Sequence, residues 1–257
     1  CGSSLVCEAF ETDVNAPAML EYGTQKKNLT SLAYVTVGTG VGVGLVVNHK
    51  PVHGRMHPEA GHVPIQPLQN DTFEGYSWGT DSSPFGGRHT VEGITSSVAL
   101  SERIAANDTS SSDEQRHKLA DLTDNHDVWT HAANALANLC VTLLLVVSVE
   151  KIVLGGGIMK RKILFDMVRQ RTRELLNGYL ELPENMEDLI SPSAFGQDVG
   201  LQGAIHIAVD AYKKKKSSRK TTESISSPPP TSSSLFPGLI LGASLGVLAM
   251  MAIRRRR

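Results

Sequence analysis

The 257 residues include 40% hydrophobic side chains, enough for one or two buried cores, and carry a formal net charge of −1. Cys1, Cys7 and Cys140 are an odd number without paired spacing, which argues against a disulfide framework and for a reducing compartment. The charge is unevenly placed: ten of the 25 basic residues and one of the 26 acidic residues fall from Lys213 onward, leaving 15 and 25 in residues 1–212, a net of −10 against +9.

A short apolar run at residues 5–10 leads into Glu11-Thr12-Asp13, and the spacing from Ala16 to Gly23 predicts a helix start. Asp13 is then expected at the end of a strand and above a helix N-terminus, where open α/β sheets bind ligands. A carboxylate there suits a general base, and equally an N-cap. The β-branched run at residues 33–37 predicts a strand, and residues 45–47 predict another. Between them, Gly38, Thr39, Gly40, Gly42 and Gly44 predict a tight loop, whose glycines permit positive φ and close approach of a phosphate to backbone N–H groups. No Lys-Ser or Lys-Thr follows, as a Walker loop needs, and no helix follows, as a dinucleotide fingerprint needs. The remaining options are a phosphate held in a hairpin turn and a glycine-rich hairpin with no ligand.

Downstream, residues 57–62 read HPEAGH, which sets Glu59 and His62 three apart beside glycine, a spacing that can aim both at a polyol. Residues 93–112 begin as a helix and fray into a polar loop. The apolar run at residues 132–149 predicts a buried core helix in preference to a membrane span, because Asn134 and Asn138 interrupt it. Residues 152–154 predict a buried strand. Gly155, Gly156 and Gly157 form the turn into a helix over 158–177, and a flat ligand can lie on such a turn against the helix N-terminus. The last helix is expected to close near Tyr212. Residues 213–234 read as a flexible basic linker rich in Ser, Thr and Pro. Residues 235–253 are nineteen without charge, long enough to span a bilayer, with Gly238, Gly242 and Gly246 at a spacing that can pair helices, and Arg254 to Arg257 follow.

The segments ETDVNA at 11–16, TVGTGVGVG at 36–44 and HPEAGH at 57–62 occur in this order in the ROK family of sugar kinases, and the chain resembles its bacterial-type fructokinases from about Cys7 to Tyr212. The resemblance implies an α/β, actin-like ATPase fold of the ribonuclease H type, chiefly its C-terminal lobe. Residues 1–212 would be the kinase domain. Because family members carry a lobe and a first phosphate loop ahead of the TDVNA segment, the chain is expected to be part of a longer protein. The implied activity is transfer of phosphate from ATP, with Mg²⁺, to fructose. Asp13 is carried over as catalytic base, Asn15, Glu59, His62 and Glu92 as sugar contacts, residues 38–44 as phosphate binders, and Gly155 to Gly157 as the adenosine surface.

One departure concerns zinc. These fructokinases ligate a structural zinc through a CPxHGxC segment and the His of the HPExGH segment, but residues 83–93 contain no cysteine. Only His62 and His89 could coordinate, so zinc is not expected. The resemblance also implies a homodimer. No helix-turn-helix segment is visible, so nucleic acid is not an expected partner. The charge-free run predicts a single-pass tail anchor, facing the kinase body to the cytosol, with the mitochondrial outer membrane as the expected address and the peroxisome or plastid envelope as rivals. A membrane-tethered, catalytically silent sugar or nucleotide sensor is the alternative.

Overall fold

The computed structural model describes residues 9–25, 29–79, 81–107 and 119–225. Residues through Lys216 make one unit, and Ser217–Arg257 make a second. In the first, α1 (Asn15–Gly23) precedes the hairpin β1 (Ser31–Val37) and β2 (Val41–Val47), followed by the short β3 (Lys50–Pro51). After a long irregular stretch come α2 (Val91–Thr95), α3 (Ser97–Asn107), α4 (Val128–Thr142), β4 (Ile152–Gly155), α5 (Ile163–Leu176), β5 (Ile190–Pro192) and α6 (Val199–Ile225).

The sheet order is β3-β2-β1-β4-β5. β1 pairs antiparallel with β2 and parallel with β4, which pairs parallel with β5. Alternation along the strands divides the core into two layers. Ala33, Val35, Val37, Val41, Val43 and Leu45 face α2, α4 and α5, together with Trp129, Leu136 and Leu139. Leu32, Tyr34, Val46 and Val153 face the other side, where Ala18 and Leu20 of α1 and Val199 of α6 cover them.

Several elements differ from the sequence expectation. The loop expected over 38–44 is only residues 38–40, since β2 already begins at Val41. The helix expected from residue 93 is two, α2 and α3, separated where Ser96 turns extended at ψ 154°. The helix expected over 158–177 is one 3-10 turn, Ile158–Lys160, a break at Arg161 with ψ 100°, and then α5. The first part of the expected linker is helical, since α6 is described as far as Ile225. Residues 1–8, 108–118 and 226–257 lie outside the described ones, and with them most of the run at 5–10 and the whole predicted span at 235–253. The segment Val128–Val147 is long and apolar enough to cross a membrane, but α4 packs as the core helix the sequence predicts. Cys140 lies within it, fully buried, with its thiol pushed up to about 12 by burial.

Glu21 ties α1 to the chain after β5. It is 1% exposed, and its Oε1 accepts the Ser193 hydroxyl at 2.5 Å and the Ala194 N–H at 3.1 Å. Burial outweighs these bonds and raises its pKa. A carboxyl whose pKa is higher folded than unfolded binds more protons when folded. Its favourable share of stability is therefore complete below the unfolded value and is lost as pH rises through the folded one. Glu21→Gln keeps an acceptor without the charge, so at pH 7 it should melt higher than the parent, with the gap closing toward pH 4.5. Thermal melts across pH 4–8 check this, and an equal or lower melting point at pH 7 contradicts it.

Candidate active site around the hairpin tip

Three segments approach the β1–β2 turn, each through a glycine. At Gly44, a Cβ would lie 2.5 Å from the Val14 carbonyl carbon, so the start of α1 rests directly on β2. Gly61 likewise leaves 2.9 Å to the Val41 carbonyl carbon, which seats residues 59–62 on the first residue of β2. Gly156, at φ 93°, lies with its Cβ direction 2.5 Å from the Val37 N, against the last residue of β1. Only a residue without a side chain permits such contacts. The HPEAGH segment and the triple glycine thus meet at the hairpin tip, while the start of α1, just after Asp13, packs on the middle of β2.

The glycines do not all serve as the sequence suggests. None of Gly38, Gly40, Gly42 and Gly44 has positive φ. Gly42 and Gly44 lie inside β2, occupied by Val14 and Thr36, so they make room for α1 and do not belong to the loop. Gly38, exposed Thr39 and Gly40 remain as the turn. Gly38 donates its N–H to the Gly40 carbonyl at 2.8 Å, and its own carbonyl accepts the Ser97 N–H at 2.7 Å. The N-terminus of α3 therefore abuts the turn, bringing its partial positive charge.

Asp13 is exposed in the turn just before α1. Tyr34, 2% exposed, lies beneath: a Cβ on Gly155 would sit 2.8 Å from its hydroxyl. Burial raises the Tyr34 pKa, and the charges of Glu21 and Asp13 add to the rise. Glu59, about half exposed, pairs with His57 at 2.8 Å. His62 closes the 3-10 turn Ala60–His62, with its N–H donated to the Glu59 carbonyl at 3.0 Å. Beside Gly157, where a side chain would meet nothing, opens a cleft of about 410 Å³ lined by Trp129, Ile158 and Lys160. Arg161 stacks on the Trp129 ring at 4.3 Å as part of its wall.

Two expected sugar contacts are spent inside the protein. Asn15 is fully buried, with Nδ2 donating to Glu11 at 3.0 Å and Oδ1 accepting the Leu45 N–H at 3.3 Å. Glu92 is 8% exposed; Oε2 accepts the Val41 N–H at 2.9 Å and Oε1 the Ser77 hydroxyl. Both hold β2 in place. Sequence reading missed Ser77, Glu11 and Tyr34. The ETDVNA segment contains Glu11, but nothing local marks the other two.

The donors at the implied zinc position do not fit that metal. Ser83 donates to Ser77 at 3.2 Å, and Ser77 donates to Glu92, so a hydrogen-bonded chain fastens this loop. His62 and His89 each keep a buried Nδ1 without a partner, and two imidazoles with serines do not make a tetrahedral zinc set. Among the described residues no three His, Cys, Asp or Glu side chains are grouped for a metal.

Comparison with known proteins places this geometry. The sequence model of the ROK family matches residues 5–211. The fructokinase of Zymomonas mobilis subsp. mobilis is 34% identical over 208 residues, covering 80% of this chain and 63% of its own length. An N-acetylmannosamine kinase of Escherichia coli O6:H1 is 30% identical over 200 residues, covering 75% and 61%. Among solved structures, the ROK hexokinase from Thermus thermophilus superposes with a TM-score of 0.62 at 24% identity, over 80% of this chain and 65% of that one. The chain thus spans less than two thirds of the length of each.

Proposed function

Because the chain belongs to the ROK family and has its actin-like mixed α/β fold, we propose that it forms the catalytic part of an ATP-dependent sugar kinase, with fructose as substrate. The observation that carries this is that the start of α1, the 59–62 turn and Gly156 all pack on one hairpin, β1–β2. Phosphoryl transfer asks a protein mainly to position the partners and offset charge.

In this reading Asp13, exposed at the mouth, accepts the proton of the attacking sugar hydroxyl. Glu59 and His62 orient the sugar, and residues 38–40 together with the α3 N-terminus face the phosphates. Gly155 to Gly157 and the cleft by Trp129 receive the adenosine. Mg²⁺, when bound with the nucleotide, would offset phosphate charge; among the described residues no cluster of three His, Cys, Asp or Glu competes to hold it by protein alone. Asn15 and Glu92 keep the frame rigid.

The fructokinase relatives favour fructose, and the N-acetylmannosamine kinase makes an N-acylated sugar the competitor. Measuring ADP release from this chain with fructose, glucose, mannose and N-acetylmannosamine tests the proposal. Fructose should give the highest kcat/KM, and no release with any sugar overturns the kinase reading. The charge-free run at 235–253 further supports anchoring to a membrane. Deleting residues 235–257 should then move the protein from the membrane to the soluble fraction, and an unchanged membrane fraction refutes the anchor.

A further inference from the structure

The turn that carries Asp13 is held from beneath by Glu11. The Glu11 side chain is 9% exposed. Its Oε1 accepts the Thr12 N–H and the Asn15 Nδ2, both at 3.0 Å, one on each side of Asp13. Its Oε2 meets His53 Nε2 at 2.9 Å. From Asn15 the chain of bonds continues to the Leu45 N–H in β2. His53 lies in the stretch that joins β3 to residues 57–62. Thr12 closes the same turn, its Oγ1 accepting the Asn15 N–H at 3.0 Å and its carbonyl the Ala16 N–H at 3.1 Å.

We propose that Glu11 is a positioning residue for phosphoryl transfer, a brace that locks the Asp13 turn to β2 on one side and to the segment leading into Glu59 and His62 on the other. The proposal rests on reading Asp13 as the base. A buried carboxylate is tolerated only where donors compensate it, and here three do. Burial by itself would raise the Glu11 pKa, but the Thr12 N–H and the His53 and Asn15 side chains bring it below the usual value, so the brace is ionised near neutral pH. The consequence is that base and sugar segment keep a fixed separation. A general base works only within hydrogen-bond reach of its proton, and about 1 Å of misplacement costs about 100-fold.

Glu11→Ala and Glu11→Gln separate this from a role in folding alone. Hydrogen exchange should show the Thr12 amide of the Ala variant opening at least about tenfold faster than in the parent, with β1 amides unchanged. The Gln variant retains an acceptor and should restore Thr12 protection. In the fructose assay the Ala variant should lose about 10- to 100-fold in kcat, with the sugar KM moving less than about threefold, and Gln should recover most of the loss. Parental kcat in a folded Ala variant overturns the proposal, as does a kcat loss that Gln does not relieve. If the parent phosphorylates no sugar, the kinase reading fails by itself and exchange decides the brace: unchanged Thr12 protection in Glu11→Ala refutes it.

Discussion

Asp13→Asn should lower turnover by about 10²- to 10⁴-fold while leaving sugar affinity nearly intact, as read by ADP release and by calorimetric titration with fructose. The side chain is exposed at the turn ahead of α1, and the turn is fixed by bonds from Thr12 and Glu11, so the amide should take the same place. What it loses is the ability to accept a proton. A fall in kcat without a comparable change in fructose binding is the signature of an interaction made only in the transition state. Normal turnover would strip Asp13 of its role.

The second large effect is expected at Gly61. An added Cβ would fall 2.9 Å from the Val41 carbonyl carbon and 3.2 Å from its Cβ, and well inside van der Waals contact with the carbonyl oxygen. Val41 is the first residue of β2 and is anchored by Glu92, so the hairpin cannot yield. The 59–62 turn must move instead, and Glu59 and His62 move with it. Gly61→Ala should therefore raise the KM for sugar by at least about tenfold and cost about 1–3 kcal/mol of stability, with the nucleotide KM much less affected. Steady-state kinetics with urea unfolding reads all three. An unchanged sugar KM would detach residues 59–62 from the sugar.

Much of the fold could be read from patterns one residue at a time. The β-branched run at 33–37, the apolar α4 and the glycine turn after residues 152–154 appear at or near their expected positions. Where the reading failed, the deciding contact lay far off in sequence. Alternate glycines remove the side chains that reveal a strand, so Gly42 and Gly44 looked like loop, although they are strand positions hollowed out for Val14. Asn15 and Glu92 are polar residues beside a ligand motif, and only the partners Leu45 and Val41, 30 and 51 residues away, show that they are spent on the frame. The Ser83–Ser77–Glu92 chain is equally invisible, since its members are spread from residue 77 to the first turn of α2. At the far end, α6 continues past its expected close near Tyr212, since no proline or glycine interrupts residues 213–225.

The central claim is that sugar and nucleotide meet at the hairpin tip. It is tested most directly by the ¹⁵N spectrum of glycine-labelled protein, titrated with fructose and a non-hydrolysable ATP analogue. Gly38, Gly40, Gly61, Gly156 and Gly157 should shift together, while Gly178 and Gly196, remote in sequence from the tip segments, stay still. Shifts confined to Gly178 and Gly196, or none at saturating ligand, would contradict the account.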